Sequence, residues 1–200
     1  MLLFLYFCNM EKVIVTFALP DERVDISVPG AEVIPVVTHV GKACSALATM
    51  RAVLQHRPRL VLNVGTAGTL RHNIGDIIVS RHTFDRDLVK TQLPGIRYDY
   101  RQDDELPWRL PSVLNGKEAW EGDFTVNTGD EFVTNVADTA GDVYDMEAFA
   151  QMVVCREEQV SFMAVKYVTD IIGQNSVKQW ADKLADARAA LTDYFGKYLK

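Results

Sequence analysis

Cysteine is scarce and unpatterned in this chain: Cys8, Cys44 and Cys155 form an odd, scattered set with no C-x-x-C pair in 200 residues. That argues against a disulfide frame or a thiolate zinc site and fits free thiols in a reducing compartment, so a cytoplasmic location is expected. His39, His56, His72 and His82 fall in no H-x-x-x-H or carboxylate-flanked ligand spacing, and no metal is expected. Also missing are Gly-x-Ser-x-Gly, a Walker-type Gly-Lys-Ser/Thr and a Rossmann Gly-x-Gly-x-x-Gly sequence. Lys/Arg-rich runs are absent and the net charge is −6, which speaks against a phosphate-backbone footprint and makes a small molecule, not nucleic acid, the expected partner. The apolar run 1–8 lacks a basic flank and is too short to span a bilayer, so no membrane partner is expected. Two readings of that run stand: Met10 is the true start, or residues 1–9 extend a turn or strand packed on a sheet.

What the chain does contain is apolar sequence, 48% of its residues, enough for one domain spanning 1–200 with a continuous core. The apolar period switches repeatedly. Residues 13–17, 31–38, 59–64, 76–80, 123–127 and 160–168 read as strands, and 42–56, 148–158 and 177–199 as helices. Alternating strands and helices predict an α/β fold, three-layer α/β/α with a central mixed sheet. Trp180, Leu184, Leu191, Tyr194 and Phe195 form an apolar stripe on the last helix that reads as core or interface. Residues 86–122 show no period, and an irregular excursion of that length is expected to be functional or to form an interface.

Chemistry concentrates in Gly141-Asp-Val-Tyr-Asp-Met-Glu-Ala-Phe-Ala150 and Lys166-Tyr-Val-Thr-Asp170. Glu147 heads an apolar helix and Asp170 leaves a buried strand, where open α/β sheets gather ligands, so two carboxylates from separate elements can meet. A plainer reading stands beside this one: Asp170 caps the turn that follows, and Glu147 merely sits favourably in a first helical turn.

Val40-Gly-Lys-Ala-Cys-Ser-Ala-Leu47, Leu62-Asn-Val-Gly-Thr-Ala-Gly68, Thr128-Gly-Asp-Glu-Phe-Val133 and Asp145-Met-Glu147 with Thr169-Asp170 together resemble the nucleoside phosphorylase and nucleosidase superfamily. The resemblance runs from about residue 13 to 176 and is strongest to its 5′-methylthioadenosine/S-adenosylhomocysteine nucleosidase branch. It implies a phosphorylase/hydrolase-like fold, a cofactor-free homodimer, and cleavage of the N-glycosidic bond of a purine nucleoside. Asp170, preceded by Thr169, would protonate the departing purine, which requires a raised pKa. Glu22 would activate water. Glu147 would accept from both ribose hydroxyls, a task suited to a two-oxygen acceptor, with Met146 against the sugar. Phe132 would stack on the base and Val133 read its edge through the main chain. Thr66, Ala67 and Gly68 would form a strand-ending glycine loop close to the ligand. Residues 86–122 would build the dimer and reach the neighbouring pocket, with Tyr98, Tyr100 and Trp108 as candidates.

The resemblance also implies hydrolysis over phosphorolysis, since related phosphorylases carry Arg where Asn63 stands and Asn cannot neutralise a phosphate dianion. Arg81 and Arg86 leave a relocated phosphate site open. Three departures are visible. The stretch from Glu22 to Val40 is shorter than is usual in the branch, Asp145 replaces Glu, and Lys166 replaces an Arg that orients the water, keeping the charge without the bidentate fork. A phosphorylase, a hydrolase of another nucleoside such as a futalosine-like compound, and a nucleoside-binding protein with weakened catalysis are the alternatives.

Overall fold

The structure is a computed structural model describing residues 10–134, 140–174 and 176–199, with no account of the Ser176 side chain. Residues 1–9, with Cys8 and both readings of the apolar run 1–8, lie outside the described residues. In chain order the strands are β1 (Glu11–Phe17), β2 (Ala31–Val37), β3 (Leu60–Thr69), β4 (Ile77–Ser80), β5 (His82–Asp85), β6 (Asp99–Arg101), β7 (Ser112–Leu114), β8 (Lys117–Ala119), β9 (Thr125–Thr128), β10 (Val143–Asp145) and β11 (Ser161–Ile171). The helices are α1 (Lys42–His56), the single turn α2 (Arg86–Val89), α3 (Ala148–Glu157) and α4 (Ser176–Tyr198), with a short 3-10 turn at Pro20–Glu22.

All these strands belong to one mixed sheet. Strand β3 lies at its centre, parallel to β11 along one edge; on the other it pairs with β1 through Leu60–Asn63 and, antiparallel, with β10 at Gly68 and Thr69. Successive side chains along the central strands take opposite faces, as the pleat requires. Val13, Val15, Leu62 and Val165 pack beneath Ala187, Leu191, Tyr194 and Phe195 of α4. Ile14, Val61, Phe162 and Ala164 pack beneath Ala52, Val53 and Met152 of α1 and α3. Covering both faces explains why these strands read as continuous apolar runs, and the result is the expected α/β/α layering around a mixed sheet.

Three features differ from the sequence expectation. Residues 63–68 are not a strand-ending loop: β3 runs through both glycines to Thr69, because β11 pairs with it along its whole length. Asp170 lies inside β11, not after it. The segment 86–122 holds short strands β6, β7 and β8 that extend the sheet edges, each only three residues and too short to show a period. Among the described residues no helix is long and apolar enough to cross a membrane.

Candidate active site

A cavity of about 400 Å3 opens where β3, β10 and β11 end, and Glu22, Glu147 and Asp170 all line it. Thr66, Ala67, Gly68, Phe132, Val133 and Met146 complete the set of expected residues in its wall. Lys166 and Thr169 do not reach the lining; both are buried directly behind it.

Asp170 is placed by an irregularity in the sheet. The β3–β11 register shifts between Val168 and Asp170, so that Asp170 comes opposite Gly68. Such a bulge re-aims a side chain. Thr169 donates its hydroxyl to Asp170 Oδ1 at 2.9 Å. A Cβ on Gly68 would stand 2.8 Å from Asp170 Oδ2, so a side chain at residue 68 would make the carboxyl shift from this position.

Glu147 is the N-cap residue of α3, yet its side chain makes no capping bond. Asp145 and Thr128 do that work: Asp145 Oδ2 accepts from the Ala148 amide at 3.0 Å and Thr128 Oγ1 from the Phe149 amide at 3.0 Å. Relieved of the cap, Glu147 turns to the cavity and accepts from the Gly41 amide at 2.9 Å. Glu147 thus keeps the helix-start position of the plainer reading, but its side chain bonds Gly41 and not the amides of α3. Burial pushes its carboxyl up to about 7; Asp145 and Glu22 push the same way, while Lys166 and the Gly41 amide oppose. Gly41 itself is fixed by the start of α1, where Lys42 bonds Asp85 and Asp87.

Glu22 sits at the end of the 3-10 turn, buried, and holds three donors: the Thr66 hydroxyl at 2.7 Å and the Thr66 amide at 3.2 Å on Oε1, and the Leu19 amide at 3.2 Å on Oε2. The short Glu22–Val40 connection therefore still delivers this carboxylate to the cavity. Trp180, read from sequence as part of a core stripe, also lines the cavity, and its indole N–H donates to Thr66 Oγ1 at 3.0 Å.

Lys166 and Asp145, two separate departures in sequence, are partners in space: Nζ lies 2.9 Å from Asp145 Oδ2, with both side chains buried. Burial lowers the ammonium's proton affinity, but Asp145, Glu147 and Glu22 outweigh it and hold Lys166 charged above its ordinary range. Lys166 is thus the counter-ion of the acidic wall. Arg86, also buried, lines the cavity. Its Nη1 donates to the carbonyls of Asn127 (2.8 Å) and Asp145 (3.0 Å), and its Nη2 to those of Gly129 (3.0 Å) and Glu131. With both terminal nitrogens committed to main-chain oxygens, it stitches the Gly129–Glu131 turn to β10 instead of offering a phosphate site. Arg81 lies elsewhere, paired with Asp104.

Phe132 is no core aromatic: it is 37% exposed and presents its ring to the cavity from a loop. His82 bonds Asp99 and Thr125, away from this cavity. Of the candidates in 86–122, Tyr98 is exposed with its ring edge-on to Phe84, Tyr100 packs on Phe149 between Arg97 and Arg156, and Trp108 packs on the core under α4. Among the described residues no group of His, Cys, Asp and Glu is arranged to hold a metal ion.

The family model of the phosphorylase superfamily matches residues 14–197. A 5′-methylthioadenosine/S-adenosylhomocysteine nucleosidase of Bacillus velezensis is 31% identical over 170 residues, 75% of this chain and 73% of its own. The solved futalosine hydrolase of Helicobacter pylori superposes with a TM-score of 0.75 at 17% identity, over 96% of this chain and 97% of its own. A 5′-methylthioadenosine/S-adenosylhomocysteine nucleosidase of Colwellia psychrerythraea, solved in complex with adenine, gives 0.71 at 21% identity, over 94% and 96%. At these identities the two structures speak for the fold.

Proposed function

The chain belongs to the phosphorylase superfamily, and from that premise we propose that it is a purine nucleosidase hydrolysing the N-glycosidic bond of 5′-methylthioadenosine or S-adenosylhomocysteine to free adenine and a ribosyl product. The observation that carries the reading is the convergence of Glu22, Glu147 and Asp170, from a turn, a helix start and a strand bulge, on one cavity. Phe132 and Val133 hold the purine, and Asp170 donates a proton to it as the bond to the sugar breaks. The sugar becomes oxocarbenium-like; Glu147 accepts from its two hydroxyls and Met146 packs on it. Glu22, oriented by three donors, takes a proton from water as its oxygen attacks the anomeric carbon. Lys166 acts from behind, through Asp145, and touches no substrate.

Water is favoured over phosphate because the arginine in the cavity wall has its terminal N–H groups occupied and Glu22 would repel a dianion. We also infer a cytoplasmic homodimer working in purine and methionine salvage. Support comes from the free thiols Cys44 and Cys155 and from apolar side chains left exposed on α1 and α3.

The test is release of adenine from both nucleosides in phosphate-free buffer, beside a panel including inosine, guanosine and futalosine. Asp170→Asn should lower kcat about 10²- to 10⁴-fold, the usual weight of a general acid. Phosphate-dependent turnover, or an Asp170→Asn variant as active as the parent, contradicts the assignment. Ligand-induced stabilisation without turnover would make the chain a binding protein.

A further inference from the structure

The indole of Trp180 has no role in the reaction as described, yet it is the only member of the α4 apolar stripe that lines the cavity, and its N–H is spent on a neighbour that touches Glu22. We propose that Trp180 is a positioning residue for the water-activating carboxylate, acting through the hydroxyl of Thr66.

A threonine hydroxyl has one proton and two lone pairs, so its direction is undetermined until a partner fixes it. The Trp180 N–H, a donor with no acceptor capacity, occupies a lone pair of Thr66 Oγ1 at 3.0 Å. The hydroxyl proton is left to the remaining partner, Glu22 Oε1, at 2.7 Å. Hydrogen bonds in series polarise one another, so the indole also strengthens the Thr66–Glu22 bond. Glu22 Oε1 then carries the Thr66 hydroxyl and amide together, while Oε2 takes the Leu19 amide. The carboxylate is thereby held at both oxygens, and a lone pair of Oε2 beyond the Leu19 bond is what a substrate water would meet. The relay ties three elements together, α4, β3 and the Pro20–Glu22 turn, none of them adjacent in sequence. Chemistry explains why tryptophan stands here: phenylalanine would fill the same wall but has no N–H.

This inference rests on the hydrolase reading and on Glu22 as base. The experiment is a double-mutant cycle on the full chain with 5′-methylthioadenosine, pairing Trp180→Phe with Thr66→Val and, independently, with Thr66→Ala, and with Glu22→Gln as reference. Trp180→Phe alone should lower kcat about two- to tenfold, the worth of one neutral hydrogen bond, and leave KM unchanged. In either Thr66 variant, where the indole has lost its acceptor, the same change should have no further effect on kcat. An equal loss in both backgrounds, or a rise in KM without a fall in kcat, shows that Trp180 merely fills the wall and overturns the relay. If Glu22→Gln is inactive while Trp180→Phe matches the parent, the relay alone falls. If Glu22→Gln retains full activity, the base assignment falls and takes the relay with it.

Discussion

Glu147 is asked to be two things: a carboxylate when ribose is present, and a group that survives burial when it is not. Its carboxyl, pushed to about 7 from an ordinary 4.5 by burial and then by Asp145, binds a proton more tightly folded than unfolded. The stabilisation from that proton is complete below the unfolded value and is lost as pH rises through about 7. The ligand-free protein should therefore hold its advantage over Glu147→Gln at pH 5 and lose it by pH 8. In between, the difference in unfolding free energy should change by at most about 1.4 kcal/mol per pH unit. Denaturant titrations of both proteins at intervals across that range check this; a difference independent of pH, or one that grows with pH, contradicts it. Nucleoside binding should run the other way and tighten towards pH 8, because the hydroxyls donate to the ionised form. A second single-residue expectation concerns Gly68, whose missing side chain makes room for Asp170. Gly68→Ala pushes the carboxyl aside, and kcat should fall at least about 10²-fold while the far-UV spectrum is unchanged; near-parental turnover would mean that Asp170 needs no such placement.

Between elements, the start of α3 shows how the site is insulated from helix formation. Asp145 and Thr128 satisfy the first amides of α3, Thr128 also donates to Asp145 Oδ1 at 2.6 Å, and Lys166 from β11 neutralises Asp145, so Glu147 is spared. Removing one partner of a buried ion pair leaves an uncompensated charge, so Lys166→Met should cost about 3–5 kcal/mol of stability. Lys166→Met with Asp145→Asn should recover part of it. If the single and double variants unfold at the same denaturant concentration, the pair is not acting as one. Little of this was legible from sequence. The helix from Lys42 could be read because its apolar period stops at Arg57-Pro58, and Arg57 does turn left-handed at φ 50°. Strand β10 could not, since three residues show no alternation, and nothing in their spacing joins Asp145 to Lys166. The stripe on α4 gave the buried face correctly for Leu191, Tyr194 and Phe195, but a period cannot say where the neighbouring sheet ends. Nor can it say where a cavity opens under the helix: Trp180 lines one, and its N–H donates to Thr66 of β3.

For the molecule as a whole, the sheet is covered on both faces, yet the outer side of the α1–α3 layer is not uniformly polar. Leu47 and Leu54, two helical turns apart and so on one side of α1, are 54% and 46% exposed, and Val153 on the adjoining α3 is 40% exposed. Large apolar side chains exposed together on one helical layer suit an interaction surface, and the homodimer inferred above supplies a partner of the same character. A symmetric interface of this kind uses the same patch on both copies, so one substitution acts twice. Light scattering should give twice the 22.5 kDa chain mass. Leu47→Glu combined with Leu54→Glu should bring it to the single-chain value, with little stability lost within each protomer, because neither side chain is buried in the chain itself. If exposed segments of the partner help close the cavity around the 5′ substituent, the same variant should show a raised KM for 5′-methylthioadenosine and a smaller change in kcat, since Asp170, Glu147 and Glu22 all come from one chain. A dimer that survives both charges would place the interface elsewhere, with the exposed Leu93, Ile96 and Tyr98 next to be substituted.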